Sequence, residues 1–289
     1  MSGSIDKREA SFHLTCAAFD LDGTLLNAQS RLSDGNRAAL EALEAAGIPV
    51  IIASGRPFST IPAEILALDA VRYVVTGNGV RIYDKAQDAT IYRCSLAPAQ
   101  VDAILQTAQY YPVGKEFFIS GDAFADRRFL DAPEQFGVHG AAFDYLLRTR
   151  KPVDDVGAFV RANAGEIDSM GLSIADGALK DQLWQRLARE VEDVYITSSL
   201  PRLIEIADAR AGKAAAIAVV LERLGLEASG LAAFGDADND LGMIEAAGWG
   251  VAMANGAAHL KEKARHIAPD HDVDGVAQVI WRLLEGGHT

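Results

Sequence analysis

The chain has 289 residues, of which 49% are hydrophobic and 23% are charged. This composition is typical of folded domains, and the length allows one large domain or two ordinary ones, so a disordered chain is excluded. The formal net charge of −13 argues against a protein that binds nucleic acid through a basic surface. We therefore expect no nucleic-acid partner, while a small anionic ligand held by a local cation is allowed.

Signals for export, membrane insertion and disulfide formation are weak throughout the sequence. Residues 1–13 are polar and lack the apolar region of a signal peptide, and no stretch reaches the ~18 consecutive apolar residues of a membrane span. The two cysteines, Cys16 and Cys94, lack the C-x-x-C spacing of metal or redox sites. We expect a cytoplasmic protein without a membrane partner, as a monomer or a weak homodimer.

The first part of the chain alternates between predicted strands and helices. An uncharged run ends at Phe19, a helix begins after the N-cap candidate Ser33 and stops before Gly47, and strands follow at residues 48–53 and 71–75. Alternation of this kind predicts parallel β-α-β units, and the pattern returns after residue 207. There Lys213 begins a helix, residues 231–234 form a short apolar strand, and a last helix covers about residues 273–285.

The middle of the chain has a different pattern. A turn at residues 84–88 predicts a hairpin, a helix follows at about residues 97–111, and short strands are expected at residues 115–120, 167–175, 194–198 and 202–207 with a helix at 177–192. Separate blocks of strands and helices indicate an α+β unit inserted into an α/β one. The predicted division is an N-terminal tail at 1–13, an α/β core at 14–80 and 208–289, and an inserted unit at 81–207. Residues 131–156 carry no clear pattern.

Two aspartates follow the first strand, in the octapeptide FDLDGTLL at residues 19–26. Residues two apart point to the same side of a strand, and ligands of open parallel sheets bind at the carboxyl ends of the strands. Asp20 and Asp22 can therefore share a hard cation. The alternative is a solvated turn, because Asp and Gly are common turn residues.

A second acidic segment, GDADND at residues 235–240, follows the strand that ends at Phe234. The spacing resembles the start of an EF-hand loop, but that loop requires Gly at its sixth position and Glu at its twelfth. Leu241 and Ala247 occupy those positions, which excludes an EF-hand.

Other polar residues are expected at the same edge of the sheet. The strand ending at residue 53 leads into Ser54 and Gly55, whose hydroxyl and backbone N–H groups can hold an anion, and Lys213 adds a positive charge. Each feature alone is more often an ordinary turn or a solvated lysine. Together they predict a site in which Mg²⁺ neutralises crowded carboxylates beside a phosphoryl group.

This set of motifs resembles the haloacid dehalogenase-like phosphohydrolase superfamily, and within it the Cof-type group of subclass IIB. The motifs around Asp20, Ser54, Lys213 and Asp236 occur in order, and the segments TGNG at 76–79 and GVAMAN at 250–255 also resemble that group. The resemblance implies a Rossmann-like parallel-sheet core with an inserted α+β cap of the C2B type. It also implies a Mg²⁺-dependent phosphatase that hydrolyses small phosphorylated metabolites, with sugar phosphates favoured.

The resemblance assigns a role to each site residue. Asp20 becomes the nucleophile that forms an aspartyl-phosphate, and Asp22 becomes the general acid and base. The expected ligands of Mg²⁺ are the Asp20 carboxylate, the Asp22 backbone carbonyl and the Asp236 carboxylate, with Asp240 either a fourth ligand or a residue behind them. The residues expected to bind phosphate or substrate are Ser54, Gly55, Arg56, Asn78, Lys213 and Asn239.

Two further functions are consistent with the same motifs. A sugar phosphomutase would pass the phosphoryl group to another hydroxyl, and a regulatory protein would bind a sugar phosphate without turnover. One departure bears on the site: Gly212 precedes Lys213, whereas relatives often have a glycine after the lysine. This places the orientation of Lys213 in question. Substrate specificity is expected in the cap, where candidates by residue type alone are Phe117, Phe118, Phe124, Arg127 and Arg128.

Overall fold

A computed structural model describes residues 12–286 and contains two β-sheets. The first sheet has eight strands in the order β14-β13-β12-β1-β2-β3-β4-β5. The strands from β14 to β3 run parallel, and β4 and β5 form an antiparallel hairpin at one edge. The bounds are β1 Cys16–Phe19, β2 Val50–Ala53, β3 Val71–Thr76, β4 Arg81–Asp84, β5 Ala89–Arg93, β12 Leu231–Gly235, β13 Trp249–Met253 and β14 His266–Ala268.

Helices cover both faces of the first sheet, because successive residues of its strands alternate between two apolar cores. Ala17 and Phe19 of β1 pack in one core with the helices α1 and α11, whereas Cys16 and Ala18 pack in the other with α8 and α9. Strands buried on both faces explain the uncharged runs of the sequence. The helices are α1 Asp34–Ala45, α2 Ala63–Leu66, α8 Lys213–Leu224, α9 Leu241–Ala246, α10 Ala258–Lys263 and α11 Gly275–Gly286.

The second sheet has six strands in the order β10-β11-β9-β6-β7-β8, all antiparallel except the β7–β8 pair. Helices α3 and α7 cover one of its faces and bury residues such as Ile104 and Leu183 against it. The bounds are β6 Gly114–Ile119, β7 Asp122–Asp126, β8 Lys151–Val153, β9 Ser169–Ser173, β10 Val194–Thr197, β11 Leu203–Asp208, α3 Pro98–Ala108, α4 Arg127–Asp131, α5 Ala141–Thr149, α6 Val156–Ala162 and α7 Gly177–Glu190.

The hairpin β4–β5 lies in the first sheet, since β4 pairs with β3 from Tyr73↔Asp84 to Thr76↔Arg81. The predicted division includes this hairpin in the inserted unit, because its antiparallel pattern differs from the parallel units before it. The hydrogen bonds assign it to the core sheet instead. The rest of the predicted division of the chain stays a prediction, and residues 1–11 and 287–289 lie outside the described residues.

Several local predictions agree with the structure. Ser33 caps α1 by accepting a hydrogen bond from Asn36 N at 3.1 Å, and Lys213 is the first residue of α8. The unpatterned residues 131–156 contain a 3-10 turn at Pro133–Phe136, then α5 and β8. Among the described residues, no helix is both long enough and apolar enough to span a membrane.

A buried carboxylate connects the two sheets. Asp168, which immediately precedes β9, accepts hydrogen bonds from Arg81 Nε on β4 and Arg93 Nε on β5, each at 2.8 Å. Ser95 Oγ and the backbone N–H of Ser120 donate to the same carboxylate. Asp168 is 1% exposed, so its carboxylate is shielded from water. These donors supply the hydrogen bonds that water would otherwise provide.

We predict that Asp168→Ala lowers the free energy of unfolding by about 3 kcal/mol, because it removes the carboxylate partner of the partly buried Arg81 guanidinium and leaves Arg93 paired with Glu166 alone. Urea unfolding measures the change. The control is Asp154→Ala, which removes the exposed partner of Arg127 and should have no measurable effect. Equal stability of the two variants would contradict the role assigned to Asp168.

Candidate active site

The carboxyl ends of β1 and β12 place acidic residues around one lysine. Asp20 directly follows β1, and Asp240 lies in the turn after β12. Lys213 Nζ donates to Asp20 Oδ1 and to Asp240 Oδ1, both at 2.6 Å, and all three side chains are buried. The lysine therefore joins two loops that are more than two hundred residues apart in the chain.

Burial and charge act in opposite directions on this lysine. Burial alone would lower the pKa of Lys213, but the carboxylates of Asp20 and Asp240 outweigh it and raise the pKa above its usual value. Lys213 is consequently charged at neutral pH. Burial raises the pKa of Asp20, and the nearby Asp240 and Asp236 raise it further, so one ammonium group does not offset the carboxylates around it.

The orientation of Lys213 is set by Gly212. Gly212 has a φ of 127°, which favours glycine, and its backbone N–H donates to Asn78 O at 2.8 Å. Gly79 approaches so closely that a Cβ there would lie 2.3 Å from Gly212 O. A glycine before the lysine, which differs from the usual pattern of the resembled group, therefore still directs Nζ between the two carboxylates.

The second acidic loop is ordered by its own carboxylate. Asp240 Oδ2 accepts hydrogen bonds from the backbone N–H groups of Asp236 at 2.9 Å and Ala237 at 3.0 Å. Thr24 Oγ1 donates to Asp236 Oδ1 at 3.0 Å. A Cβ at Gly23 would lie 2.5 Å from Asp236 Oδ2, so a glycine is required where the two acidic loops meet.

Three carboxylates in this cluster fit a divalent cation. Oxygen atoms from Asp20, Asp236 and Asp240 lie within 4.8 Å of one another. Burial, followed by the charge of Asp240, raises the pKa of Asp236 to about 6, which shows that the cluster has more negative charge than Lys213 balances. A donor set made only of oxygen atoms favours a hard ion such as Mg²⁺.

Asp22 lies at the rim of the cluster and forms an ion pair. Arg56 donates to both of its oxygens, with Nε–Oδ2 and Nη2–Oδ1 distances of 2.6 Å. The Asp22 side chain is 53% exposed, whereas that of Arg56 is 14% exposed and lies 5.6 Å from the centre of the Tyr145 ring. The guanidinium is fixed from both sides, so it holds Asp22 at a defined position beside the solvent.

A chain of side-chain hydrogen bonds leads from the acidic loop to the second sheet. Asn239 Nδ2 donates to Asn78 Oδ1 at 2.9 Å, and Asn78 Nδ2 donates to Glu205 Oε1 on β11, also at 2.9 Å. Asn239 Oδ1 is buried and has no hydrogen-bond partner among the described residues. An unsatisfied buried oxygen beside the carboxylates is consistent with a ligand at this position.

Ser54 and Gly55 follow β2, the strand next to β1. Ser54 is buried, and its Oγ accepts a hydrogen bond from Arg56 N at 3.2 Å. A Cβ at Gly55 would lie 3.0 Å from Asn78 Oδ1 and 3.3 Å from Glu205 Oε1, so this glycine keeps the turn open toward those polar groups. The turn has the backbone and hydroxyl donors that an anion requires.

The structure thus places all the predicted site residues at one edge of the first sheet, although not all in contact. Asp20, Lys213, Asp236 and Asp240 form one cluster, Asp22 pairs with Arg56, and Asn78 bonds to Asn239. The sequence analysis missed the contacts made by three residues: Thr24, Tyr145 and Glu205. The position of Glu205 could be predicted in part from the sequence. It lies between Ile204 and Ile206, so its side chain faces the side of β11 opposite to theirs.

Comparison with known proteins identifies the family. The family model described as haloacid dehalogenase-like hydrolase matches residues 17–280. The chain belongs to this family. It is 30% identical over 268 residues to 5-amino-6-(5-phospho-D-ribitylamino)uracil phosphatase YcsE of Bacillus subtilis, with 92% of this chain and 95% of that protein covered.

Solved structures agree on the fold. A haloacid dehalogenase-like hydrolase from B. subtilis has a TM-score of 0.81 at 23% identity, covering 93% of this chain and 99% of that one. A sugar phosphatase of subclass IIB has a TM-score of 0.78 at 21% identity, covering 92% and 98%. The resemblance to the Cof-type group, the α/β fold with an inserted cap and the expectation of an enzyme of the hydrolase type are confirmed.

We predict that Lys213→Ala destabilises the protein by about 3–5 kcal/mol, because it leaves two buried carboxylates facing each other without a cation. Burial and the nearby Asp240 and Asp236 raise the pKa of Asp20, so this carboxyl group can lose its charge by taking up a proton, and the loss of stability should be smaller at about pH 5 than at about pH 8. Urea unfolding at both pH values tests this.

The control for Lys213→Ala is Lys263→Ala, which removes a largely exposed ion pair with Glu245. This change should leave the unfolding curve nearly unaltered at either pH. A Lys213→Ala protein as stable as Lys263→Ala would show that the buried lysine does not hold the two loops together.

Proposed function

We propose that this protein is a Mg²⁺-dependent phosphatase of small phosphorylated metabolites, with sugar phosphates favoured, that acts through an aspartyl-phosphate. The observation that carries the proposal is the buried Lys213 between Asp20 and Asp240 within an acidic cluster. The curated relative from B. subtilis, named as a phosphatase of a phosphorylated ribitylamino-uracil, supports the reaction class.

Asp20 is the proposed nucleophile. Its Oδ1 is held by Lys213, which fixes the plane of the carboxylate and leaves Oδ2 as the atom that attacks phosphorus. Bond formation between Oδ2 and phosphorus proceeds as the bond to the leaving oxygen breaks, and hydrolysis of the acyl-phosphate then restores the carboxylate. The fixed orientation matters because phosphoryl transfer depends mainly on alignment and charge neutralisation.

The carboxylates of Asp20 and Asp236 would hold Mg²⁺, together with the backbone carbonyl of Asp22. Asp240 already uses one oxygen for Lys213 and the other for two backbone N–H groups, so we assign it to positioning the loop behind the ligands. When bound, the ion would neutralise charge on the transferring phosphoryl oxygens. Ser54 Oγ and the backbone N–H groups of the turn at Gly55 would hold other oxygens of the same group.

Asp22 is the proposed general acid and base, and Arg56 positions it. In the acid role the Asp22 carboxyl gives a proton to the leaving oxygen, and in the base role the carboxylate takes one from the attacking water. Both carboxylate oxygens of Asp22 accept a hydrogen bond from the Arg56 guanidinium. Proton donation therefore requires at least one of these hydrogen bonds to be released when substrate enters.

We predict that Asp20→Asn lowers phosphate release from p-nitrophenyl phosphate in the presence of Mg²⁺ by about 10³-fold or more, because an amide cannot form the acyl-phosphate. The assay follows nitrophenolate. The matched control is Asp102→Asn on α3, which changes an exposed aspartate in the same way and should retain full activity. Full activity in Asp20→Asn would exclude the covalent mechanism.

We predict that Mg²⁺ binding weakens as the pH falls below about 6. The pKa of Asp236 is raised to about 6, so at lower pH the ion must displace a proton from this ligand. For one proton the dissociation constant should rise about tenfold per pH unit below that value. Calorimetric titration of the metal-free protein with Mg²⁺ at several pH values measures it.

Two variants locate the ion in that experiment. Asp236→Ala should abolish the binding, whereas Asp272→Ala should retain it, because Asp272 belongs to a separate group formed by Asp270, His271 and Asp272. A dissociation constant that does not change between about pH 7.5 and about pH 5 would contradict the assignment of Asp236 as a ligand.

A further inference from the structure

A cleft separates the turns of the first sheet from the open face of the second. On β10 and β11, residues that alternate with the apolar core point away from helices α3 and α7, and Thr197 lies directly opposite Glu205. The cleft is therefore lined by both sheets. Its lining residues include Gly55, Asn78, Phe118, Tyr195, Thr197 and Glu205.

The cleft begins at the proposed phosphate-binding turn. A Cβ at Gly55 would lie 3.3 Å from Glu205 Oε1, so only a hydrogen atom separates this turn from the carboxylate. A phosphoryl group held at Ser54 and Gly55 would place the alcohol part of the substrate beside Glu205. Among the described residues that line the cleft, Glu205 alone carries a carboxylate.

Glu205 has acceptor capacity left over. Oε1 accepts one hydrogen bond from Asn78 Nδ2 at 2.9 Å, and Oε2 accepts one from the backbone N–H of Ser199 at 2.8 Å. The Ser199 hydroxyl also hydrogen-bonds to this carboxylate. A carboxylate oxygen can accept two hydrogen bonds, so Oε1, which accepts from Asn78, has one position open. These donors fix the carboxylate plane, which makes it a rigid acceptor rather than a mobile surface charge.

The surroundings favour a neutral donor over a cation. Within residues 12–286, no lysine or arginine lies within 4.0 Å of the Glu205 carboxylate. Lys213 and Lys180 act on it from a longer distance, so the charge of Glu205 is already partly offset without a further cation. A hydroxyl group donates one hydrogen bond and carries no charge.

We propose that Glu205 is a specificity-determining residue that accepts a hydrogen bond from a hydroxyl group of the alcohol part of the substrate. The enzyme would then prefer phosphate esters of polyhydroxylated compounds to esters lacking that hydroxyl. A substrate without it would leave a partly buried carboxylate oxygen desolvated and unpaired, and such a mismatch is the strongest basis for discrimination. This inference rests on the proposed phosphatase function.

The test compares pairs of substrates that differ by one hydroxyl. The probes are ribose 5-phosphate with 2-deoxyribose 5-phosphate, glucose 6-phosphate with 2-deoxyglucose 6-phosphate and with 3-deoxyglucose 6-phosphate, and p-nitrophenyl phosphate as an ester without a hydroxyl. We expect the wild type to prefer the hydroxylated member of at least one pair by about tenfold in kcat/KM. Glu205→Gln, whose amide presents a donor at one of the two positions, should reduce that ratio by about fivefold or more.

Two variants accompany Glu205→Gln. Glu205→Asp keeps the charge but withdraws it by one methylene group, so it should also reduce the ratio. Glu192→Gln changes an exposed glutamate just before β10 and should keep the wild-type ratio. Thermal unfolding of each variant reports whether the second sheet is intact, and a merely structural role for Glu205 would lower stability without changing the preference within a pair.

Each other outcome overturns the proposal. Hydroxyl recognition by Glu205 would be excluded if the ratio were unchanged in both Glu205 variants. It would also be excluded if the wild type preferred neither member of any pair. The wild-type measurement does not depend on whether the variants fold. A Glu205-dependent preference for glucosamine 6-phosphate over glucose 6-phosphate would assign the carboxylate to a cation. Failure to release phosphate from every compound, including p-nitrophenyl phosphate, would instead overturn the phosphatase proposal, and this inference with it.

Discussion

The site depends on one buried ammonium group shared by two carboxylates. Lys213 bonds to Asp20 after β1 and to Asp240 after β12, and neither carboxylate has another cation within ion-pair distance in the described part of the chain. Neighbouring strands end at the same edge of the sheet, which brings like charges together, and the lysine makes that arrangement tolerable. The fold therefore brings mutually repelling carboxylates together, and Lys213 at the start of α8 offsets most of that repulsion.

Lys213 does not neutralise all the negative charge of the cluster, and the remaining charge favours binding of a cation. Burial, followed by the charge of Asp240, raises the pKa of Asp236, and Asn239 has a buried oxygen without a hydrogen-bond partner among the described residues. Both observations are consistent with a cationic ligand at this position. A native site of this kind trades stability for the ability to bind, which is a common property of catalytic centres.

The sequence was informative where local rules decide the structure and silent where three-dimensional contacts do. The parallel strands β1, β2 and β12 can be predicted from uncharged runs because both of their faces are buried, and Ser33 is recognisable as an N-cap, whereas β13 and β14 were not predicted. The five-residue strand β7, which begins and ends with aspartate, has no comparable run and was missed. The hairpin β4–β5 was placed with the insertion, since a change from parallel to antiparallel pairing looks the same in a sequence as a domain boundary.

In the candidate site too, features set by local sequence could be predicted and features set by three-dimensional contacts could not. The acidic loops, the serine turn and the lysine could be placed at one sheet edge from their positions after strands, but the pairing of Asp22 with Arg56 depends on side-chain rotamers. Glu205 comes from the other sheet, and nothing in the linear order of residues connects it with Asn78. Its alternation with two isoleucines was the one local sign that it faces away from the apolar core.

The contact between Gly79 and Gly212 has a consequence for how the chain is assembled. Asn78 O accepts a hydrogen bond from Gly212 N, so the two ends of the intervening segment meet side by side. A segment whose ends meet in the native fold can be lengthened, shortened or exchanged at a small entropic cost, because loop closure depends only weakly on loop length. The part of this segment that forms the second sheet can thus change in length without moving the sheet edge that carries the candidate site, with the contact between the two glycines as the fixed point.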